Sequence, residues 1–477
     1  MISKEMFVNR IAFDNPWWSE GKINDDYLSV KPRRMLDTIY QQLTDWNLHR
    51  AILLLGPRRV GKTWLMQHIV NRLLSEAVVP QRNIIFLSID VPIYHGSGLE
   101  ELVTEAAKVS GVNMAKDKLV VLFDEIQYLK DWELHLKTFS ESYRNIRFIA
   151  SGSAASALAK GSIESGAGRF TDIKLAPLSF REFLEISGED HILHPSTMWT
   201  ATGDYEFPET ESQERLNQLF LEYVNYGGYP ELVMNRSVKA NPVQFIQRDI
   251  VDKVLLRDLP SLYHIEDVRD LQAFFSYLAF HSGMVQSWET MSQGASLRKP
   301  MIVSFLRYLE DAFLVVRHER VDISSMSLQR STQFKVYLTN TSLRASMFQP
   351  VLKADDPYLG TTIETAISAQ FGIGNERREW RYANWRSGRS QGEVDFVHIH
   401  QGTQRPDIAL EVKWSDGPFD HPAELNQAIS FCNKNDIRQL WVTTRTQQGI
   451  RKMGDVELIF IPTASFAYQL DKTGVFK

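Results

Sequence analysis

The stretch LLLGPRRVGKTW, residues 53–64, constrains this chain more than any other. Gly56, Gly61, Lys62 and Thr63 keep the spacing G-x-x-x-x-G-K-[ST]. Such a loop turns its backbone N–H groups toward phosphate oxygens, so glycines stand where a Cβ would clash. An apolar run (51–56) precedes it and an amphipathic helical stretch follows from Thr63, whose N-terminal dipole favours an anion. The expected nucleotide contacts are Gly56, Pro57, Arg58, Arg59, Val60, Gly61, Lys62, Thr63 and Trp64. Lys62 would reach the β- and γ-phosphates, and the Thr63 hydroxyl would bind Mg²⁺.

Further short apolar runs alternate with amphipathic stretches up to about residue 185: 83–90, 118–125 and 147–153. Continuous apolar strands of this kind predict an α/β fold with a parallel sheet covered on both faces. The third run ends in Asp124-Glu125. Asp124 can hold Mg²⁺ and Glu125 can polarise the attacking water, which makes ATP hydrolysis the expected reaction. One strand lies between the two motifs in sequence, as in ATPases whose acidic strand does not neighbour the P-loop strand. A strand between them in the sheet then carries a polar sensor, for which Ser151 and Ser153 are candidates. Arg169, in the Gly-flanked loop GAGRF, reads either as a finger on the γ-phosphate, in cis or from a neighbouring subunit, or as a solvated loop arginine.

Composition restricts the rest. The 477 residues suffice for about three domains. A net charge of −5 argues against a globally basic nucleic-acid binder but not against a local basic face. Cys432 is the single cysteine, so no intrachain disulfide or cysteine zinc site can form. No apolar run approaches the roughly 20 residues of a membrane helix, and the N-terminus lacks a signal peptide's apolar core. A cytoplasmic protein without membrane partners is expected. The chain divides into an irregular arm (1–30), an ATPase core (31–187), a polar linker (188–213) overlapping a helical lid (210–262), a segment of three helices with a short β element (263–345), and a second α/β domain (358–477).

Gly-Pro-Arg-Arg-Val-Gly-Lys-Thr, Phe-Asp-Glu-Ile-Gln, Ser-Gly-Ser, Gly-Arg-Phe and Pro-Leu-Ser-Phe-Arg-Glu-Phe together resemble the prokaryotic AAA-like, archaeal-type ATPases. Tyr226-Gly227-Gly228-Tyr229-Pro230 and Leu255-Leu256-Arg257-Asp258 extend the resemblance over nearly the whole chain after residue 30. It implies an ATP-switched machine with a C-terminal domain related to PD-(D/E)xK nucleases.

The 263–345 segment reads as a winged helix-turn-helix. Its third helix, about 298–312, has an apolar stripe of Ile302, Phe305, Leu306 and Leu309. Lys299, Ser304, Arg307 and Tyr308 lie on or near the other face, and Arg317, His318 and Arg320 follow on a wing strand. This suits DNA contact, and equally a protein-packing module.

In the C-terminal domain, Glu411-Val412-Lys413 is one of three [DE]-x-K matches, with Glu20/Lys22 and Asp172/Lys174. Only its context distinguishes it. If a hairpin centres on Thr403, Asp395 falls opposite Glu411, so both carboxylates can share Mg²⁺ or Mn²⁺. Lys413 shares the face of Glu411 and can orient water or stabilise charge on a phosphate. Val394, Phe396, Leu410, Val412 and Trp414 should point the other way. Glu364, on a helix, is a further metal-ligand candidate. Together these residues fill the slots of the PD-(D/E)xK pattern they resemble, a restriction-endonuclease-like fold. Arg377, Arg378, Arg381, Arg386 and Arg389 interleave with Trp380, Tyr382 and Trp385, which suits phosphate contact and base stacking or an ordinary half-buried strand. The leading expectation is an ATP-hydrolysing, DNA-associated protein with a metal-dependent nuclease domain, in defence against foreign DNA or genome maintenance. The alternatives are a regulatory switch ATPase, binding DNA or a protein partner through a silent nuclease-like domain, and a protein-partner ATPase that ignores DNA. A homo-oligomer would accommodate the arginine finger.

Overall fold

The computed structural model describes residues 4–153, 168–200, 203–323, 332–353, 355–371, 379–387, 390–400 and 402–470. The chain forms two compact units, Met1–Leu175 and Ala176–Lys477.

The first unit holds five parallel strands, β1 (Ala51–Gly56), β2 (Ile84–Ser88), β3 (Leu119–Asp124), β4 (Ile146–Ser153) and β5 (Phe170–Lys174). Their order is β2-β3-β4-β1-β5. β1 and β3 are buried at every residue, because helices cover both faces. The helix Lys62–Ser75 turns Leu65, Met66, Ile69, Val70 and Leu73 inward, a spacing that keeps one helical face in the core.

The arm expected to be irregular is helical over Lys4–Asp14, Trp17–Glu20 and Asp25–Leu28. It seals the open edge of β2. Asn15 Nδ2 donates to Phe86 O at 2.9 Å while Phe86 N donates to Asn15 Oδ1 at 2.7 Å. Trp17 and Trp18 both donate their indole N–H to Ile84 O, at 3.1 and 2.9 Å. An edge strand exposes unpaired backbone groups, and these side chains replace the missing neighbour. The signal was two tryptophans beside an asparagine, but nothing local says which strand they cap.

The second unit contains the hairpin β6 (Leu193–Trp199) and β7 (Asp204–Thr210), where a polar linker was expected. Tyr205 and Phe207 on β7 pack against Trp441 at ring distances of 5.0 and 5.8 Å, so tertiary packing overrides a polar composition. The helix Phe180–Ser187, assigned above to the ATPase core, packs here too: Phe180 lies 5.0 Å from Phe220. In the Tyr226–Pro230 motif, a Cβ on Gly228 would sit 1.8 Å from Asn340 Nδ2, which explains the glycine.

The remaining strands are β8 (Val285–Ser287), β9 (Val315–Val321), β10 (Gln333–Leu338), β11 (Glu379–Ser387), β12 (Ser390–Ile399), β13 (Pro406–Glu411), β14 (Gln439–Thr444), β15 (Gly449–Met453) and β16 (Val456–Pro462). They form one sheet, ordered β15-β16-β14-β13-β12-β11-β9-β10-β8. The segments 263–345 and 358–477 are therefore not separate bodies. β9 and β11 join them in parallel, with Tyr382 beside Arg320 and Ala383 beside Val321. Alternate residues feed two cores: Phe396, Leu410, Trp441 and Ile459 line one, and Val397, Ala409, Leu440 and Leu458 the other. A bulge between Arg381 and Ala383 breaks the alternation, so Val394 joins Val397 rather than Phe396, contrary to the expected pattern. Bulges re-aim neighbouring side chains, and this one lies beside Asp395.

Candidate functional site

The P-loop bridges β1 and the helix Lys62–Ser75. Arg59 and Gly61 take positive φ values of 64° and 91°, which close the turn. A Cβ on Gly56 would lie 2.4 Å from the carbonyl oxygen of Leu175, so only glycine fits. Lys62 Nζ, buried, donates to the carbonyls of Gly56 at 3.1 Å and Pro57 at 2.9 Å. Arg33 donates to the carbonyl of Val60. The ring of Tyr27 meets Trp64 edge-on at 5.1 Å.

β4 separates β3 from β1, which puts Ser151 between the P-loop and the acidic pair. Thr63 Oγ1 donates to Asp124 Oδ2 at 2.7 Å, and Ser151 Oγ donates to Asp124 Oδ1. The backbone N–H of Glu125 donates to Ser151 Oγ at 2.9 Å. Glu125 has φ 55°, and Gln127 Nε2 donates to its carboxylate at 2.5 Å. Burial, then the charge of Glu125, push Asp124 up to about 6, against the bonds from Ser151 and Thr63. Hydroxyl and carboxylate oxygens converging beside Lys62 suit a hard divalent ion. The side chain of Ser153 lies outside the described residues.

Arg169 sits elsewhere. Its carbonyl accepts from Ala51 N at 3.0 Å, at the opposite end of β1 from Gly56. Five strand steps put it about 16 Å from the P-loop, beyond an arginine's reach. Its Nε pairs with Glu141 Oε1 at 2.5 Å. The cis alternative therefore falls.

In the second unit, Phe396 pairs with Leu410 and Val397 with Ala409, the register of a hairpin centred on Thr403. Continued by one step, that register sets Asp395 opposite Glu411, and both are buried. Asp395 Oδ2 accepts from Val412 N at 2.8 Å. Lys413 Nζ joins the two carboxylates, 3.2 Å from Asp395 and 2.7 Å from Glu411. Burial, then Asp395, push Glu411 up to about 8. Burial alone would raise Asp395 too, but Lys413 and Lys335 hold it below the usual carboxylate range.

Glu364, on the helix Leu359–Gln370, is engaged differently. Its Oε1 accepts from Lys335 Nζ at 2.9 Å and from the Tyr337 hydroxyl at 2.6 Å. Lys335 also pairs with Glu393 Oε1 at 2.7 Å. Among the described residues, no three His, Cys, Asp or Glu side chains come together to hold a metal. Glu364, Asp395 and Glu411 thus do not form the expected three-acid set. Lys335, Tyr337 and Glu393 escaped notice in the sequence. The available signal was a lysine in β10, whose residues from Phe334 to Leu338 are all buried.

The expected nucleic-acid face is altered. Ile302, Phe305, Leu306 and Leu309 are buried in the helix Lys299–Asp311, as expected. His318 is buried and neutral, its pKa lowered to about 3 by burial and Lys335, so it cannot contact phosphate. Lys299 pairs with Glu289 at 2.6 Å, and Arg317 with Glu310 and Glu319 at 3.5 and 3.3 Å. Tyr308 stacks on Tyr263 at 3.8 Å. Trp380, Tyr382 and Trp385 are buried and cannot stack on bases. Arg386 is exposed, while Arg377, Arg378 and Arg389 lie outside the described residues. Among the described residues no helix is long and apolar enough to cross a membrane.

A family described as "AAA domain" matches residues 48–184, and one described as "Domain of unknown function (DUF8612)" matches residues 217–356. An uncharacterized protein of Haemophilus influenzae is 27% identical over 300 residues, 61% of this chain and 67% of its own length. Uncharacterized protein MJ1544 of Methanocaldococcus jannaschii is 24% identical over 267 residues, 54% of each chain, and MJ1637 is 30% identical over 331 residues, 66% of each. The chain thus spans from about half to two thirds of these relatives. The Aeropyrum pernix ORC1 protein in complex with DNA overlays with a TM-score of 0.32 at 12% identity, covering 72% of this chain and 97% of that one, too low to carry an argument. The first unit has the parallel sheet of a P-loop NTPase, and the AAA domain match, residues 48–184, covers that sheet and runs on into the helix Phe180–Ser187.

Proposed function

We propose that this chain is an ATP-hydrolysing, DNA-associated protein whose C-terminal unit carries a metal-dependent phosphodiester-cleaving site. The observation that carries the ATPase half is the continuous chain Thr63–Asp124–Ser151–Glu125, which runs from the P-loop helix across β3 and β4. Thr63 and Asp124 would hold Mg²⁺, which supplies charge neutralisation for the phosphates. Lys62 exchanges two loop carbonyls for phosphate oxygens. Gln127 orients the Glu125 carboxylate, which accepts a proton from the attacking water. Arg169 serves the site of a neighbouring copy, since its own P-loop is out of reach. Purified protein should hydrolyse ATP with Mg²⁺, and Lys62→Ala and Glu125→Gln should each cost about 10²-fold or more. Equal rates for wild type and both variants would overturn the ATPase.

The element order helix, strand, helix, helix, strand, strand over 268–338 supports the winged-helix reading, with Arg307 exposed. Asp395, Glu411 and Lys413 support the PD-(D/E)xK reading: the acids would hold Mg²⁺ or Mn²⁺, and Lys413 would face the phosphate. With Mg²⁺ and ATP the protein should cut plasmid or linear DNA. Cutting no faster than Glu411→Ala/Lys413→Ala would remove the nuclease. A second reading, a switch ATPase with a silent nuclease-like module, is favoured by the Lys413 ammonium lying between the two carboxylates. DNA binding without nicking at low divalent metal would select it. Salt-insensitive or absent DNA binding would point to a protein partner instead.

A further inference from the structure

Four carboxylates meet two ammoniums in the second unit. Lys335 pairs with Glu364 and Glu393, and Lys413 with Asp395 and Glu411. The two lysines are not equivalent. The side chain of Lys413 is 36% exposed and can swing into water. That of Lys335 is 3% exposed, on a strand hydrogen-bonded on both sides, with His318 and Val285 as its neighbours. Burial would strip its proton, but Glu364, Tyr337, Asp395 and Glu393 hold it on. Removing an ammonium from a buried pair strands the partner carboxylate at high cost.

We infer that Lys335 is a resident cation of the C-terminal site: it occupies Glu364 and leaves Asp395 and Glu411 as the seat of a single divalent ion. This rests on the metal-dependent reading above. The charge count supports it. With all four acids ionised, as a bound cation would require, four carboxylates against two ammoniums leave two negative charges, matched by one divalent ion. The geometry supports it as well, because Glu364 Oε1 already accepts two hydrogen bonds, from Lys335 and the Tyr337 hydroxyl. Glu364, a metal-ligand candidate by sequence, is on this account the counter-ion of Lys335. Lys335 is a positioning residue, since it touches carboxylates and is too buried to touch a substrate. The strand that carries it precedes the C-terminal domain in sequence, so the site is assembled from both segments.

The test is Mn²⁺ binding to the full chain without nucleotide, read from the electron paramagnetic resonance of free Mn²⁺. An Asp124→Asn background removes the carboxylate that would hold the metal in the ATPase site. The parent should bind one Mn²⁺. Glu411→Gln should weaken it at least tenfold, whereas Glu364→Gln should change it less than threefold. Lys335→Met should add a second Mn²⁺ or tighten binding at least tenfold, because Glu364 is set free. Loss of Mn²⁺ in Glu364→Gln equal to that in Glu411→Gln would overturn the inference while sparing the metal site. Unchanged binding in a folded Lys335→Met variant would do the same. If Lys335→Met does not fold, Glu364→Gln decides alone. A parent that binds no Mn²⁺ would remove the metal-dependent reading, and the inference with it.

Discussion

Ser151→Ala separates the roles of the residues around Asp124. The Ser151 hydroxyl donates to the Asp124 carboxylate and accepts from the backbone N–H of Glu125. A hydrogen bond to a charged group contributes about 1.5–3 kcal/mol, and one pKa unit corresponds to about 1.4 kcal/mol. Losing the donor should therefore raise Asp124 by about 1–2 units from its value of about 6. The sign is set by charge: Ser151 stabilises the carboxylate, so its removal favours the protonated acid. Wild-type kcat/KM for MgATP, which reports the free enzyme, should fall below pH about 6. In Ser151→Ala that acid limb should move to between about 7 and 8. Activity at pH 7 should drop, with part of the loss recovered at pH 9. The unrecovered part would measure Glu125, whose left-handed backbone loses its N–H partner. Phosphate release from pH 5.5 to 9 at saturating Mg²⁺ makes the comparison. An acid limb that stays in place would refute the assignment of Ser151 as the group that holds Asp124 ionised.

Arg169→Ala and Lys62→Ala should each be inactive as ATPases, yet a mixture should regain hydrolysis above the sum of the two, because each supplies what the other lacks. No gain on mixing would remove the trans finger. Asn15→Ala breaks two hydrogen bonds to Phe86 on the edge strand and should cost about 2–4 kcal/mol, read as a lower urea midpoint. Gly228→Ala forces a Cβ onto the Asn340 amide and should cost about 1–3 kcal/mol by the same measurement.

The ATPase half was legible because its constraints are local. A P-loop needs its two glycines five positions apart, as Gly56 and Gly61 are, and an apolar run ending in Asp-Glu places the acids at a strand tip. The one strand intervening in sequence between the two motifs leads to the expectation of a sensor strand between them in the sheet, where β4 stands. The arm was illegible for the opposite reason. Asn15, Trp17 and Trp18 are ordered by carbonyls and an amide about 70 residues away. The hairpin β6–β7 was hidden by its composition, since His194, Pro195, Ser196 and Thr197 look like a linker. What orders it is Trp441, more than 200 residues later. Arg169 fell between these cases: its loop was recognisable, but only the pairing with Ala51 reveals which end of the sheet it occupies.

The C-terminal site shows where motif reasoning stops. Hairpin arithmetic located Asp395 and Glu411, since a register follows from counting residues about a turn. It could not locate Lys335, because that lysine arrives through β10, β9 and the two-residue parallel contact of β9 with β11. A boundary drawn between residues 345 and 358 therefore runs through a charge network rather than around it. The consequence is physical. A fragment beginning at residue 358 would keep Glu364 and Glu393 but lose Lys335 and the Tyr337 hydroxyl. Glu364, its side chain only 12% exposed, would then shed its charge or unfold the structure around it, whereas Glu393, 38% exposed, would be hydrated. The [DE]-x-K motif is thus an incomplete description of this site: its lysine balances part of the charge, and a second lysine from the preceding segment balances a further part.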